Sequence, residues 1–402
     1  LGNKADVRPF ESGIIDRVIS FLWRQLLKGI AAYARAHARW TFFHEERALG
    51  MPINPRIKKW NPSGVIGRLM GEQVVRFIRQ LNVPTVDLFH EDELSGIPGV
   101  AVDQEALIQL AIDHFLERGF KNFAYCGFSK LMFSELRQAC FIQRLAEHGF
   151  NADVFSYPGL KSGTGLATYE EHAVQYNDQL SDWLHALPKP VALFACNDWR
   201  AQQILSICAE KGIEVPEKIA VLGVDNDDVE CELSNPPLSS IDPNVELIGY
   251  QAAAFLDRLM KGESIPTKRV LVPAKGIITR RSTDVMVVDD PDAAEAINFI
   301  RKHARDGISL EEAAKQLCIS QKTLSRWFLK HLGHSPAAEI MRVRVQQIQE
   351  LLRTTNLNLE EIGNLLGFAH VESMQLIFKR TAGMTPGAYR RQCRSSECPG
   401  LS

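Results

Sequence analysis

One pattern occurs twice near the end of the chain, about 49 positions apart, and this duplication limits the possible folds more than any other feature. Ile308-Ser309-Leu310-Glu311-Glu312-Ala313 parallels Leu357-Asn358-Leu359-Glu360-Glu361-Ile362. Each copy opens on a capping residue, Ser309 or Asn358, with a glutamate three places on. That spacing lets two helix-terminal amides be satisfied reciprocally and fixes a helix start. A short turn follows, Leu317-Cys318-Ile319-Ser320 in one copy and Leu366-Gly367-Phe368-Ala369 in the other. Gly367 suits a left-handed turn position. A second amphipathic helix then ends near 328–330 or 378–380, and the copies close on Gly333-His334-Ser335-Pro336 and Gly383-Met384-Thr385-Pro386. Between them, 336–352 carries Ile340, Val343, Ile348 and Leu351 on one side. Helix, short turn, helix is the unit whose second helix enters the major groove of DNA. Two units on one stiff helix can address successive grooves, about 34 Å apart on one duplex face.

A plain helical bundle is the alternative. The duplication, the polar residues at the exposed helix starts and the local charge weigh against it. The whole chain has net charge −2, which marks no single charged partner. That average hides a split: residues 291–402 hold 15 Lys+Arg against 11 Asp+Glu, net +4, whereas residues 1–290 hold 31 against 37, net −6. A basic end on an acidic body points to two partners of different kinds.

Ahead of the repeat, short apolar runs at 64–67, 85–88, 99–102, 123–127, 154–157, 191–196, 219–224 and 270–272 alternate with amphipathic stretches. The latter lie at 24–37, 71–81, 104–118, 136–148, 169–186, 199–211 and 245–261. In 24–37, Leu26, Leu27, Ile30, Ala31 and Ala34 share a face; in 104–118, Leu107, Leu110, Ala111, His114 and Phe115 do. Helices between buried strands imply parallel sheets covered on both faces. The expected fold is therefore α/β, two lobes with parallel sheets and a cleft between them, followed by an all-α domain with two helix-turn-helix units. The expected boundaries are 1–282 for the two-lobed domain, 283–292 for a linker, 293–392 for the helical domain and 393–402 for a disordered tail. Within the linker, 285–288 is expected to pair at a sheet edge, and Asp289-Asp290-Pro291-Asp292 to turn and start a helix.

Open parallel sheets bind ligands outside the carboxyl ends of their strands. The residues just after each run are polar and stand beside aromatic rings: Asp103, Gly127-Phe128-Ser129, Asn197-Asp198-Trp199-Arg200 and Asp225-Asn226-Asp227-Asp228. Carboxylates and amides take paired hydrogen bonds from vicinal hydroxyls, and an aromatic face covers the apolar side of a sugar ring. Asp103, Asp198 and Asp225 also stand where a helix wants an N-cap. One side chain can serve both ends.

Catalysis fits poorly. The chain has no GxGxxG after its first strand, no GxxxxGK[ST], no GxSxG and no HExxH. The acidic run after 219–224 lacks a phosphate loop to work with. No enzyme activity, metal or cofactor is expected. The eight cysteines (Cys126, Cys140, Cys196, Cys208, Cys231, Cys318, Cys393 and Cys398) form no CxxC pair and read as reduced thiols of a cytoplasmic protein. No uncharged apolar run approaches the ~18 residues a membrane span needs, and the first residues lack the pattern of a secretory signal.

The stretch PVALFACNDWRAQQILSICAEKGIEVPEKIAVLGVDNDDVE, followed by NPPLSSIDPNVELIGYQAAAFLDRLMKG, resembles the effector domain of LacI/GalR-type repressors, which is similar to periplasmic sugar-binding proteins. The resemblance covers about residues 13–282. It implies that Asp198, Arg200, Asp225 and Asn226 line a sugar cleft, with Asp103 at a further cleft position. The front departs from the family. In SGIIDRVISFLWRQLLKGIAAYARA only Ile14-Ile15 remains of a first strand, and Phe21-Leu22-Trp23 replaces a small, polar ligand loop. Either Trp23 stacks on the ligand or this segment is a helix extension.

The repeat, closing on GMTPGAYRR, resembles the AraC/XylS DNA-binding domain over about residues 293–392. The resemblance puts Gln321, Lys322, Thr323, Ser325 and Arg326 on the first recognition helix, and His370, Glu372, Ser373 and Gln375 on the second. By the donor and acceptor patterns of base edges, Arg326 suits guanine, Gln321 or Gln375 adenine, and Glu372 cytosine. Lys322, Lys379 and Arg380 suit phosphate. Relatives usually have an aromatic residue where Ser373 stands and a basic one near Leu376.

A LacI-like sensor ahead of an AraC-like reader resembles the regulators of xylose operons, junction RRSTDVMVVDDPDAAEAINFIRKHA included. This implies a sugar-responsive transcription regulator, an activator of pentose-utilisation genes. Its partners would be double-stranded operator DNA, D-xylose or a related pentose as effector, a second copy in a homodimer, and RNA polymerase, with no membrane. Two alternatives stay open: a regulator answering to a hexose, a nucleoside or a non-sugar, and a solute-binding module that delivers sugar to a transporter.

Overall fold

The computed structural model describes residues 10–16, 21–46, 56–69, 72–89, 96–157, 170, 172–265, 269–288, 290–368 and 370–397. Gly71, Tyr169, Asp289, Ala369 and residues 398–402, named above, lie outside these. The chain divides into two compact units, Leu1–Thr283 and Asp284–Ser402.

Among the described residues, the first unit holds two six-stranded sheets. One runs in the order β11 (Val270–Val272), β5 (Gly99–Val102), β4 (Thr85–Leu88), β3 (Gly64–Gly67), β1 (Phe10–Asp16), β2 (Trp40–Glu46), with every pair parallel. The other runs β12 (Gly276–Ile278), β10 (Ser239–Asp242), β9 (Ile219–Val224), β8 (Val191–Ala195), β6 (Phe123–Phe128), β7 (Ala152–Tyr157). It is parallel except at the β10–β12 edge. Strands β3, β4, β5, β6, β8 and β9 are buried at every residue. That is why they read as continuous runs, mostly apolar, rather than as alternations. The chain passes between the sheets after β5, after β10 and after β11.

Helices Phe21–His37 and Val245–Met260 pack against each other beside the first sheet. They touch at glycine. A Cβ on Gly29 would stand 1.9 Å from the Glu246 carbonyl oxygen, and one on Gly249 would stand 2.1 Å from that of Leu26. Tyr33 donates to Asp257 (2.9 Å) beside this crossing.

Four strands were absent from the sequence reading or present only as remnants. β1 extends well beyond Ile14-Ile15 and pairs with both β2 and β3. β2, β10 and β12 were not anticipated. No strand forms over Val285–Val288, correcting the expected edge pairing. That segment joins the second unit: Val285 is buried, and Met286 and Val288 pack on its core. The terminal helix Pro386–Glu397 runs into the stretch expected as a disordered tail.

The second unit has two small cores. Ile297, Ile300, Ala313, Leu324 and Phe328 form one, and Ile362, Met374 and Phe378 belong to the other. Helix Pro336–Thr354 serves both, giving Ile340 and Val343 to the first and Val345, Ile348 and Leu352 to the second. Both expected capping boxes form, at Ser309/Glu312 and Asn358/Glu361.

Candidate ligand cleft and nucleic-acid interface

A cavity of about 130 Å³ opens between the two sheets of the first unit. The first sheet contributes Arg68 after β3, Phe89 after β4, and Ala101 and Val102 at the end of β5. The second contributes Asn197 after β8 and Asp225 after β9. Gln104 and Pro243 come from the crossings between them, and Arg137 from helix Met132–Glu147. Most of these polar groups sit at carboxyl ends of strands, where diverging loops leave room for a ligand.

Asp225 is the sequence candidate that reaches this cavity. Its φ is +118° and that of Asn226 is +49°, conformations that cost a non-glycine residue energy and concentrate at functional sites. The turn is held from behind. Asp225 N–H donates to the Ile241 carbonyl (3.0 Å), and Asn226 N–H to Ser240 Oγ (3.0 Å). Asn226 Oδ1 accepts from Arg280 Nη1 and Nη2 (both 3.2 Å), so its side chain supports the turn.

Asp198 lies behind the wall, 2% exposed. It accepts from Ser240 Oγ (2.5 Å), Asp227 N–H (2.9 Å) and Cys231 Sγ (3.4 Å). A Cβ on Gly223 would come within 2.2 Å of Asp198 Oδ1, so β9 carries glycine there. Burial, with the charge of Asp225 added, pushes the Asp198 carboxyl well above the usual range. Burial raises that of Asp225 to about 7, against the pull of Arg137 and with a push from Asp227.

Arg200 is 1% exposed, with its guanidinium over Phe128 (5.1 Å) and Phe155 (5.6 Å) and Nη1 on Gln203 Oε1. Nε and Nη2 have no hydrogen-bond partner among the described residues. Asp103 caps helix Gln104–Leu116 by accepting from Ala106 N–H (3.0 Å), while its neighbours Val102 and Gln104 line the cavity. Trp23 is 4% exposed on the inner face of helix Phe21–His37, and Leu22 beside it reaches the wall. Of the two readings left open for this segment, the structure has the helix.

The sequence reading missed Arg137, Gln104, Arg68 and Arg269, and it did not single out Asn197 from the motif it quoted. Arg137 is 5% exposed and donates through Nε to Gln104 Oε1 (3.1 Å) and through Nη1 to the Cys196 carbonyl. It sits inside a helix, where no strand end signals it. Asn197 Oδ1 caps the next helix by accepting from Arg200 N–H (3.0 Å). The wall thus offers guanidinium donors, a carboxyl group and amides around a space suited to a small polyhydroxylated molecule. Among the described residues, no group of three His, Cys, Asp or Glu can hold a metal ion, and no helix is long and apolar enough to cross a membrane.

In the second unit, Leu324 and Phe328 anchor helix Gln321–Leu332, so Gln321, Lys322 and Arg326 are exposed and Ser325 is half-buried. Ser320 Oγ caps it by accepting from Thr323 N–H (3.0 Å), which engages Thr323 at the helix start. Met374 and Phe378 anchor Val371–Ala382 likewise, leaving Glu372, Ser373, Lys379 and Arg380 exposed and Gln375 half-buried. His370 is the N-cap residue of this helix, without a side-chain capping bond. Cys318 adopts φ +56° at the turn position where the second copy has Gly367 at +68°. Glu339 joins the first unit of the repeat to the long helix. It is fully buried and pairs with Arg301 (2.6 Å), His334 (2.7 Å) and Arg342 (2.7 Å).

Comparison with known proteins agrees with this division. The profile of the periplasmic binding protein-like domain matches residues 112–283, and that of a helix-turn-helix domain matches 313–392. The xylose operon regulatory protein of Escherichia coli (strain K12) is 32% identical over 375 residues, 91% of this chain and 93% of that protein. The chain belongs to the xylose operon regulatory protein family. The Haemophilus influenzae member of the family is 26% identical over 92% of this chain and 95% of its own length. A solved structure described as the xylose-binding transcription activator matches with TM-score 0.70 and 29% identity, covering 96% of this chain and 98% of that one. The lac repressor dimer bound to operator, 18% identical with TM-score 0.55 over 69% of this chain and 95% of its own, shares the fold of the first unit. Family membership makes the chain a transcription regulator with an AraC-type DNA-binding region, not an enzyme.

Proposed function

We propose that the chain is an activator of pentose utilisation whose effector, D-xylose or a close relative, binds in the cavity between the two sheets. The observation that carries this reading is the strained Asp225 turn, held open to the cavity beside Asn197 and Arg137. A sugar hydroxyl pair can donate to Asp225 and accept from Arg137 and Asn197. Asp198, Asn226 and Arg200 act from behind the wall, Asp198 by holding the Asp227 amide. Because both sheets line the cavity, a ligand that touches both favours the closed state by its differential affinity. Closure changes how two protomers of a homodimer pair, and with it their fit to two operator half-sites. DNA and sugar must then strengthen each other's binding by the same factor. RNA polymerase is the partner that an activator finally engages.

Calorimetry across a panel of pentoses and hexoses tests the effector. D-xylose or a close relative should bind tightest; a hexose binding tighter would reassign the class. Asp225→Ala should weaken sugar binding about 10- to 100-fold, the range for losing a charge-assisted hydrogen bond. It should leave DNA binding without sugar unchanged in a gel shift. Unaltered sugar affinity would remove Asp225 from the site.

On the DNA side, Arg326→Ala should cost about 1–3 kcal/mol and relax preference at one base position. A loss that is uniform across sequences would place Arg326 on phosphate instead.

A further inference from the structure

The two recognition helices are built on one template but present different chemistry. Leu324 and Phe328 of the first helix recur as Met374 and Phe378 in the second, 50 positions on, and both helices end at a left-handed glycine, Gly333 or Gly383. The pattern of buried, half-buried and exposed positions is shared along the body of both helices. In that register Glu372 takes the place of Lys322, and Leu376 takes the place of Arg326. Leu376 is 59% exposed. Arg326 is the side chain proposed above to reach a guanine edge, so Leu376 occupies the corresponding groove-facing position with no group able to donate or accept a hydrogen bond.

An exposed leucine alone needs no explanation. One at the reading position of a helix that enters the major groove does. The major groove offers one apolar feature, the C5 methyl group of thymine. We infer that Leu376 is a specificity-determining residue that reads a thymine methyl group, so that the two helix-turn-helix units recognise unlike sequences: guanine through Arg326 in one, thymine through Leu376 in the other. The exchange of Lys322 for Glu372 fits this division. The second helix start repels phosphate where the first attracts it, which leaves base contacts a larger share of that unit's binding. The inference rests on the reading of this repeat as the DNA-binding element.

The test uses the full chain and the duplex it selects from a random-sequence pool. Each thymine of that duplex is replaced in turn by uracil, which removes only the methyl group. One replacement in the sub-site of the second unit should weaken binding about three- to fivefold, the size expected for exposing one buried methyl group. Leu376→Ala should bind the thymine duplex weaker by a similar factor and show no further loss on the uracil duplex. Its side chain is exposed, so its melting curve should match the parent's. Leu376→Arg should move the preference at that base pair toward guanine. If the parent is indifferent to every replacement, or Leu376→Ala stays sensitive at the same position, the assignment is overturned while DNA binding stands. If the pool yields no preferred duplex, sequence reading by the repeat fails and this inference with it.

Discussion

Glu339→Ala should destabilise the DNA-reading unit by about 3–5 kcal/mol, the cost of breaking a buried ion pair from one side. Glu339 is fully buried, and three cationic or hydrogen-bonding side chains converge on it. Burial alone would raise its carboxyl pKa. The hydrogen bonds from Arg342 and His334 and the charges of Arg301 and Arg342 overcome that and bring it to about 2, against an ordinary 4.5. A depressed folded pKa stabilises the fold above the unfolded value, and the contribution fades as pH falls through the folded one. Stability from this group is therefore complete above about pH 4.5 and lost as pH falls towards 2. The shift corresponds to roughly 3 kcal/mol. Removing the carboxylate leaves Arg301, itself 11% exposed, without its partner in the core. Urea unfolding of the full chain, followed with a gel shift, measures this. DNA binding should fall with the unfolding midpoint of the second unit, and sugar binding should persist. A loss below about 1 kcal/mol would show that the cluster behaves as a surface pair.

Gly29→Ala should destabilise the sensing unit by about 1–2 kcal/mol, the overpacking cost less alanine's helix gain. A methyl group there would stand 1.9 Å from the Glu246 carbonyl oxygen and 2.8 Å from the Tyr250 amide nitrogen, both backbone atoms that cannot rotate away. The two helices must separate, and that loosens Leu26 and Ile30, which are buried in the same contact. Alanine favours a helix over glycine by about 1 kcal/mol, so overpacking of about 1–3 kcal/mol or more has to exceed that gain. The expected result is the reverse of the Glu339 experiment: sugar binding weakens while duplex binding stays. A rise in stability would refute the close helix crossing at Gly29.

What could be read from the sequence differs between the units for physical reasons. The repeat was legible because its stop and start signals are local. Ser309 with Glu312 and Asn358 with Glu361 cap their own helices, and Pro336 and Pro386 start the next. Where a local signal was missing, the partner copy supplied it: Cys318 holds the left-handed turn that Gly367 announces. Strands buried on both faces were legible as apolar runs. β10 was not, because its serines are satisfied from distant segments: Ser239 donates to the Arg280 carbonyl, and Ser240 donates to Asp198. β2, WTFFHEE, ends in charged residues and gives no continuous apolar run. In the cavity, Asp225 stood at a predicted strand end and was found. Arg137 comes from a helix interior and was not, and Asp198, found by the same strand-end rule, is buried on Ser240, Asp227 and Cys231 and does not line the cavity. Position after a strand indicates the neighbourhood of a ligand. The direction a side chain takes is decided by what packs beneath it.

Helix Pro336–Thr354 contributes to both cores of the second unit, and its 19 residues span about 28 Å. The spacing of the two reading heads is thus set by one helix, as a beam sets the jaws of a caliper. Promoters that drift by base substitution can be re-read with a graded penalty. Where both units read one duplex, as proposed, an inserted or deleted base pair between the sub-sites shifts one target against a separation that this single helix sets.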